Sequence, residues 1–203
     1  MFRGRWYWLG ALLLWVVIDQ LFTRWPSPSR EAWAIKHLWL YLAAPALFLA
    51  ATGAHRAIRW RWNAEATRWT LICCALVLPV YVGAVLLFPG MQSYYPMWPI
   101  EGSAWGLARY ALTMLVIVGG TELVYRGVML LPLSRWGAWA ILLHLPPYVW
   151  IHVGKPPEEV LGSLFGGLLW GWAAYRSGTI YPGLISHGVG WMILELGLAF
   201  GAP

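Results

Sequence analysis

Seven apolar stretches of about bilayer-spanning length divide this chain, near residues 6–23, 33–53, 69–88, 105–133, 138–153, 159–175 and 180–200. A helix needs roughly 20 apolar residues to cross the hydrocarbon layer. There it must satisfy its own backbone hydrogen bonds, because no water is available to do so. Composition agrees: of 203 residues, 60% are hydrophobic and 11% are charged, where soluble domains carry about 25% charged residues. The expectation is an all-α, polytopic membrane helix bundle of about seven transmembrane helices, forming a single domain over 1–203. Turn chemistry marks the breaks: "WPSPSR", "FPGMQSYYPMWPIEGS", "LSRWG", "VGKPP" and "RSGTIYP". The fourth stretch is long for one span, so either a tilt of the whole helix or a bend at Gly119-Gly120 is expected. Pro146-Pro147 should distort the fifth helix.

Basic residues set the expected orientation. The segment "HRAIRWRWNAEATRW" holds four arginines, the N-terminus holds Arg3 and Arg5, and the aromatic segment 89–103 holds no Lys or Arg. A cytoplasmic N-terminus then satisfies the positive-inside bias, although it leaves Arg24, Arg30 and Lys36 on the outer side. The net charge of +6 is explained by this bias and calls for no nucleic-acid partner. The 17 tryptophans fit anchoring at the lipid interface. The adjacent Cys73 and Cys74 offer neither a disulfide framework nor a zinc spacing. "MFRGRWYWLGALLLWVVIDQLF" has the outline of a signal peptide, but no small-residue cleavage site follows, so a retained first helix is expected. No internal repeat is evident.

Three apolar segments carry polar residues: "TELVYR" (121–126), "YVWIH" (148–152) and "HGVGW" (187–191). Ionisable groups inside a membrane are costly and point first to function. Glu122 and Arg126 are spaced i, i+4 and can pair on one helix face. With a hairpin turning near Trp136-Gly137, Glu122 lies fifteen residues before the turn and His152 fifteen after it. At about 1.5 Å per residue both sit at matching depth, and His187 re-enters within one or two turns of it. One carboxylate and two imidazoles are therefore expected to line one cavity open to water. His144 shares a helix face with Tyr148 and His152, and nothing else singles it out; His37 and Asp19 have no assigned role. The spacings Gly162-x-x-x-Gly166 and Gly167-x-x-x-Gly171 suit close helix packing.

In order and spacing these segments resemble the CPBP family (CAAX proteases and bacteriocin-processing proteins), also called the type II CAAX protease or ABI group. Its pattern is Glu-Glu-x-x-x-Arg, then Phe-x-x-x-His, then His-x-x-x-Asn or Asp. This chain has Thr121-Glu122-x-x-x-Arg126-Gly127, Tyr148-x-x-x-His152 and His187-x-x-x-Trp191. The resemblance makes 105–200 the catalytic core and 1–104 a set of N-terminal helices. It implies an intramembrane endopeptidase in which a glutamate and a histidine activate water while a second histidine and the Asn steady the oxyanion. Carried onto this sequence, the catalytic residues are Glu122, His152 and His187, supported by Arg126, Thr121, Tyr148 and Trp191. No cofactor is required; a divalent metal, if bound, would take Glu122, His152 and His187 as ligands. The partners implied are the lipid bilayer and a membrane-anchored or C-terminal-signal-bearing peptide or protein, at a prokaryotic inner membrane.

Two positions depart from the pattern. Thr121 replaces the first glutamate, on which the family's chemistry usually rests, and Trp191 replaces Asn. An indole N–H donates but cannot accept, so Trp191 can stand in only as an oxyanion donor. Glu195, two turns after His187, is an alternative carboxylate expected near the outer surface. Neither His-Glu-x-x-His nor Gly-x-Gly-Asp is present. Two other functions fit the same residues: a catalytically inactive scaffold or binding protein on this fold, and a small proton-coupled transporter. Duplicated halves, common in transporters, are not seen.

Overall fold

The computed structural model describes residues 4–201, and every described element is helical. Arg3 and the side chain of Arg5, both used above for orientation, lie outside the described part. Helix α1 is Gly4–Arg24. Ser29 caps the next helix by accepting from the Ala32 N–H at 3.2 Å. That helix runs as α2 (Arg30–His37), a π-helical stretch (Leu38–Ala43) and α3 (Ala44–Thr52). Gly53, at φ 71°, ends it in the left-handed region that glycine enters without steric cost. Asn63 caps α4 (Ala64–Leu87), and the short α5 is Pro89–Tyr94. Ser103 caps α6 (Ala104–Glu122), which continues as a π-helical turn over Leu123–Val128 and a 3₁₀ segment over Leu131–Trp136. Gly137, at φ 63°, turns the chain into α7 (Trp139–Trp150). Helices α8 (Pro157–Ser177) and α9 (Tyr181–Phe200) complete the bundle.

Among the described residues, five stretches are long and apolar enough to cross a membrane: Trp6–Arg24, Arg30–Thr52, Ala64–Leu87, Ala104–Trp136 and Tyr181–Phe200. Seven were expected. Helix α7 has only 12 residues, fewer than a span requires, and α8 opens on Glu158 and Glu159. The Ala104–Trp136 stretch is the hub, with 83% of its apolar window buried against 17% for Trp6–Arg24, which faces outward. No bend occurs at Gly119-Gly120: α6 runs through both glycines, and the irregularity begins at Leu123, in the π-helical turn. Gly120 serves packing instead, since a Cβ there would lie 2.7 Å from Tyr41 Cβ. Pro146 and Pro147 stay inside α7, which stops at Trp150. His152 therefore sits in the turn after the helix rather than within it.

The glycine spacing on α8 does pack. A Cβ on Gly167 would meet Leu145 and Tyr148 of α7 at 2.5 and 2.9 Å, and one on Gly171 would meet His144 at 2.6 Å. Gly162 has nothing within 4 Å. At one end of the bundle the segment after α3 ties to the α8–α9 turn through Arg59 N–H to Gly178 O (2.8 Å) and Asn63 Nδ2 to Ser177 O (3.2 Å). The arginines of 55–69 lie at this end. At the opposite end, two of the basic residues that strained the orientation argument are spent on carbonyls. Lys36 Nζ donates to Phe22 O and Trp25 O, both at 2.9 Å, and Arg30 donates to Trp98 O and Pro99 O.

Candidate active site

Thr121 and Glu122 close α6 side by side, and one step along a helix turns a side chain by about 100°. The structure separates them accordingly. Thr121 lines a cavity of about 990 Å³, whereas Glu122 points into the protein and is fully buried. Glu122 Oε1 accepts from Arg126 Nη1 at 3.2 Å and from His187 Nδ1 at 3.1 Å. The close fit of α9 depends on Gly183, where a Cβ would stand 2.2 Å from Glu122 Oε2. The π-helical turn carries Arg126, also fully buried. Its guanidinium lies over the Tyr148 ring (4.2 Å) and near the Trp170 ring (5.5 Å), so aromatic faces supply attraction that water would otherwise provide. The expected Glu122–Arg126 pair is thus present.

His187 is stacked between two indoles, Trp170 at 4.4 Å and 19° and Trp191 at 5.9 Å and 17°. Trp170 is itself held by its Nε1–H to Ser186 Oγ at 2.8 Å. His152 donates from Nδ1 to Tyr148 O at 2.9 Å, its ring against that of Tyr148. A carbonyl only accepts, so His152 Nδ1 carries the proton and Nε2 keeps a lone pair. The carboxylate imposes the same tautomer on His187. Both imidazoles line the cavity.

The expectation that Glu122, His152 and His187 line one cavity is met by the two histidines and not by Glu122. The carboxylate lies behind His187, because the helix stays regular through Glu122 and gives the cavity face to Thr121. Glu195 lies near the end of α9, as expected, and is buried there at 1% exposure. Fully buried His144 stands against Gly171 of α8, outside the cavity lining. Among the described residues no three His, Cys, Asp or Glu side chains are arranged to share a metal ion. The conditional ligand set is moreover committed elsewhere, since Glu122 Oε1 is taken by Arg126 and His187. No step is therefore derived through a metal.

Several cavity residues had no assigned role in the sequence. His37 is buried, lines the cavity and donates from Nδ1 to Trp33 O at 2.9 Å; Asp19 lines it as well. The signal available was polarity inside apolar segments, which gave no partner. Near the mouth, Glu159 accepts from Lys155 Nζ at 2.6 Å and from the Tyr95 hydroxyl at 2.8 Å. Burial, followed by the Glu159 carboxylate, pushes the Tyr95 phenol well above its ordinary pKa, so it remains a donor. On the flanks, Leu76 and Val80 of α4 and Phe165 of α8 line the cavity while exposing more than half their surface outward.

A bundle with helices long and apolar enough to span a membrane, with two imidazoles on a cavity wall and a buried carboxylate–guanidinium pair, defines an integral membrane protein. Residues 103–192 match the family model described as type II CAAX prenyl endopeptidase Rce1-like. The match supports a membrane protease-like function. It includes Thr121, Glu122, Arg126, His152, His187 and Trp191; His37, Asp19 and Glu195 fall outside it. No curated protein and no solved structure matches the chain.

Proposed function

We propose that this protein is an intramembrane endopeptidase that hydrolyses a peptide bond of a membrane-anchored or C-terminal-signal-bearing substrate, in a prokaryotic inner membrane with its N-terminus cytoplasmic. The observation that carries the mechanism is the 3.1 Å contact between His187 Nδ1 and Glu122 Oε1. A carboxylate behind an imidazole holds its tautomer, orients it and stabilises the cation formed when the other nitrogen takes a proton. His187 Nε2 removes a proton from water as the water oxygen bonds to the peptide carbonyl carbon. His152 Nε2, the second acceptor on the cavity wall, orients that water. As the C–N bond breaks, His187 returns its proton to the leaving amine. Glu122 thus acts from behind the histidine. The apolar flanks contributed by α4 and α8 suit a substrate arriving from the lipid.

One observation favours the alternative of an inactive binding protein. Thr121 stands where the family has its first glutamate, and its hydroxyl donates back to Ile117 O at 2.9 Å. It is no proton acceptor near neutral pH. The test is cleavage of a library of peptides carrying a transmembrane segment, by protein reconstituted in liposomes. Loss of an acid–base group costs about 10²–10⁴-fold, and His187→Ala and Glu122→Gln should each show a loss of that order. If the wild type cleaves nothing and Thr121→Glu does, the protein is an inactive member of the fold.

A further inference from the structure

Asp19 and His37 belong to the N-terminal helices, outside residues 103–192, and the proposed reaction uses neither. Each lies within a stretch long enough to cross a membrane, where an ionisable group is costly and marks function. Both line the large cavity. Helices α1 and α2 place them on one wall of it through aromatic contacts. Phe22 comes three residues after Asp19, on the same face of α1. Its ring meets those of His37 (4.9 Å, 82°) and Tyr41 (5.4 Å, 73°). Tyr41 follows His37 by one turn, with ring centres 4.9 Å apart, and Trp33 stands edge-on to His37 at 4.6 Å and 76°. Three aromatic rings thus surround one imidazole, with a carboxylate one turn of α1 away from Phe22.

What these polar groups lack is a partner. His37 is 4% exposed, and its Nδ1–H is held by the Trp33 carbonyl at 2.9 Å. Its Nε2 keeps a lone pair and is left to the cavity. Among the described residues the half-buried Asp19 carboxylate has neither ion pair nor hydrogen bond. Two lysines are engaged elsewhere: Lys36 on the Phe22 and Trp25 carbonyls, Lys155 on Glu159 at 2.6 Å. The wall therefore offers a negative charge, a ring-nitrogen acceptor and aromatic faces. A cation that donates hydrogen bonds satisfies all three. We infer that this wall is a specificity subsite for a basic side chain of the peptide substrate, a lysine ammonium or an arginine guanidinium. Asp19 lies five residues before the end of α1, roughly 7 Å along the helix. A basic residue flanking an apolar transmembrane segment holds its charged head at such a depth while its stem lies along apolar surface. The inference rests on the cavity being the substrate site, as proposed above.

The test uses the full-length protein in liposomes and pairs of fluorescent peptides with one apolar transmembrane segment. The members of a pair differ only in lysine against norleucine, placed in turn at each position flanking that segment. Binding and cleavage are measured separately, and the reading is the ratio of the two dissociation constants. At one flanking position the wild type should bind the lysine peptide about tenfold tighter or more, the size expected of a hydrogen-bonded charge. Asp19→Asn should bring that ratio to within about threefold of one, and Asp19→Glu, which keeps the charge, should retain the preference. His37→Phe keeps a ring and removes the acceptor, and should lower the ratio about threefold; if it does not fold, the two Asp19 variants decide. Glu158→Gln, at another carboxylate on the cavity, should leave the ratio as it is. A wild-type ratio near one at every position overturns the inference. So does a preference that survives Asp19→Asn or is lost in Glu158→Gln, which would put the cation elsewhere. If the lysine preference depends on Asp19 but no peptide is cleaved, the subsite stands and the protease reading fails. If both peptides are cleaved and bound alike, the subsite fails and the protease reading stands.

Discussion

Arg126 shows what a single residue contributes here. Fully buried, it has one ion-pair contact, to Glu122, and two aromatic faces. Removing one partner of a buried pair leaves an uncompensated charge and costs about 3–5 kcal/mol. Arg126→Ala should therefore lower the unfolding midpoint and folded yield in detergent well below those of His152→Ala. His152 lies in a turn and makes one backbone hydrogen bond, so its loss should cost about 1 kcal/mol. Equal stabilities of the two variants would show that Arg126 has another source of solvation. Lysine is a poor replacement, because a compact ammonium cannot spread over the Tyr148 ring as a planar guanidinium does.

At the level of elements, α7 and α8 matter because neither resembles a free-standing span. Their contact is set by two glycines one turn apart on α8. Cβ atoms at Gly167 and Gly171 would press on Tyr148, Leu145 and His144, and Tyr148 in turn lies against both Arg126 and His152. Gly167→Ala and Gly171→Ala should each destabilise by about 1–3 kcal/mol, the usual cost of overpacking, and should disturb the site through Tyr148. Gly162→Ala, with open space around it, should leave the unfolding midpoint unchanged. Thermal unfolding of the three variants side by side checks this; a comparable loss at Gly162 would mean that α8 sits differently. The π-helical turn Leu123–Val128 belongs to the same scale. It places Arg126 beneath Tyr148 while preserving the i, i+4 contact to Glu122, and such insertions recur at functional sites.

For the molecule as a whole, the two ends differ in charge. One carries the arginines of 55–69; at the other, Lys36 and Arg30 are bound to carbonyls. The proposed orientation, with the 54–63 segment in the cytoplasm by the positive-inside bias and the cavity end with Lys155 and Glu159 outside, can be tested directly. In a variant lacking Cys73 and Cys74, a membrane-impermeant maleimide applied to intact cells should label Ser93→Cys and spare Ala57→Cys until the membrane is opened. The reverse pattern would invert the bundle and give the site a cytoplasmic mouth. Both positions are exposed and lie outside the five spanning stretches, so labelling reports side rather than burial.

Much of the architecture was legible in the residues themselves. Apolar length dictates helices because the backbone must satisfy its own polar groups in lipid, and Gly53, Gly137 and Gly178 end or turn elements where positive φ is needed. The Glu122–Arg126 pair was equally readable, since i, i+4 neighbours on one helix meet whatever surrounds them. Relations between helices were not readable. That Thr121 rather than Glu122 faces the cavity depends on where α2, α8 and α9 lie around α6. That His187 reaches Glu122, 65 residues earlier in the chain, depends on Gly183 admitting the carboxylate. The entry of His37 and Asp19 into the cavity, and the burial of Glu195 beside Tyr110 and Arg30, also arise from contacts distant in sequence. Local chemistry determined which helices form and which charges pair along one helix; only tertiary packing decided which polar side chains share a cavity, because periodicity along a helix does not specify which neighbour each face will meet.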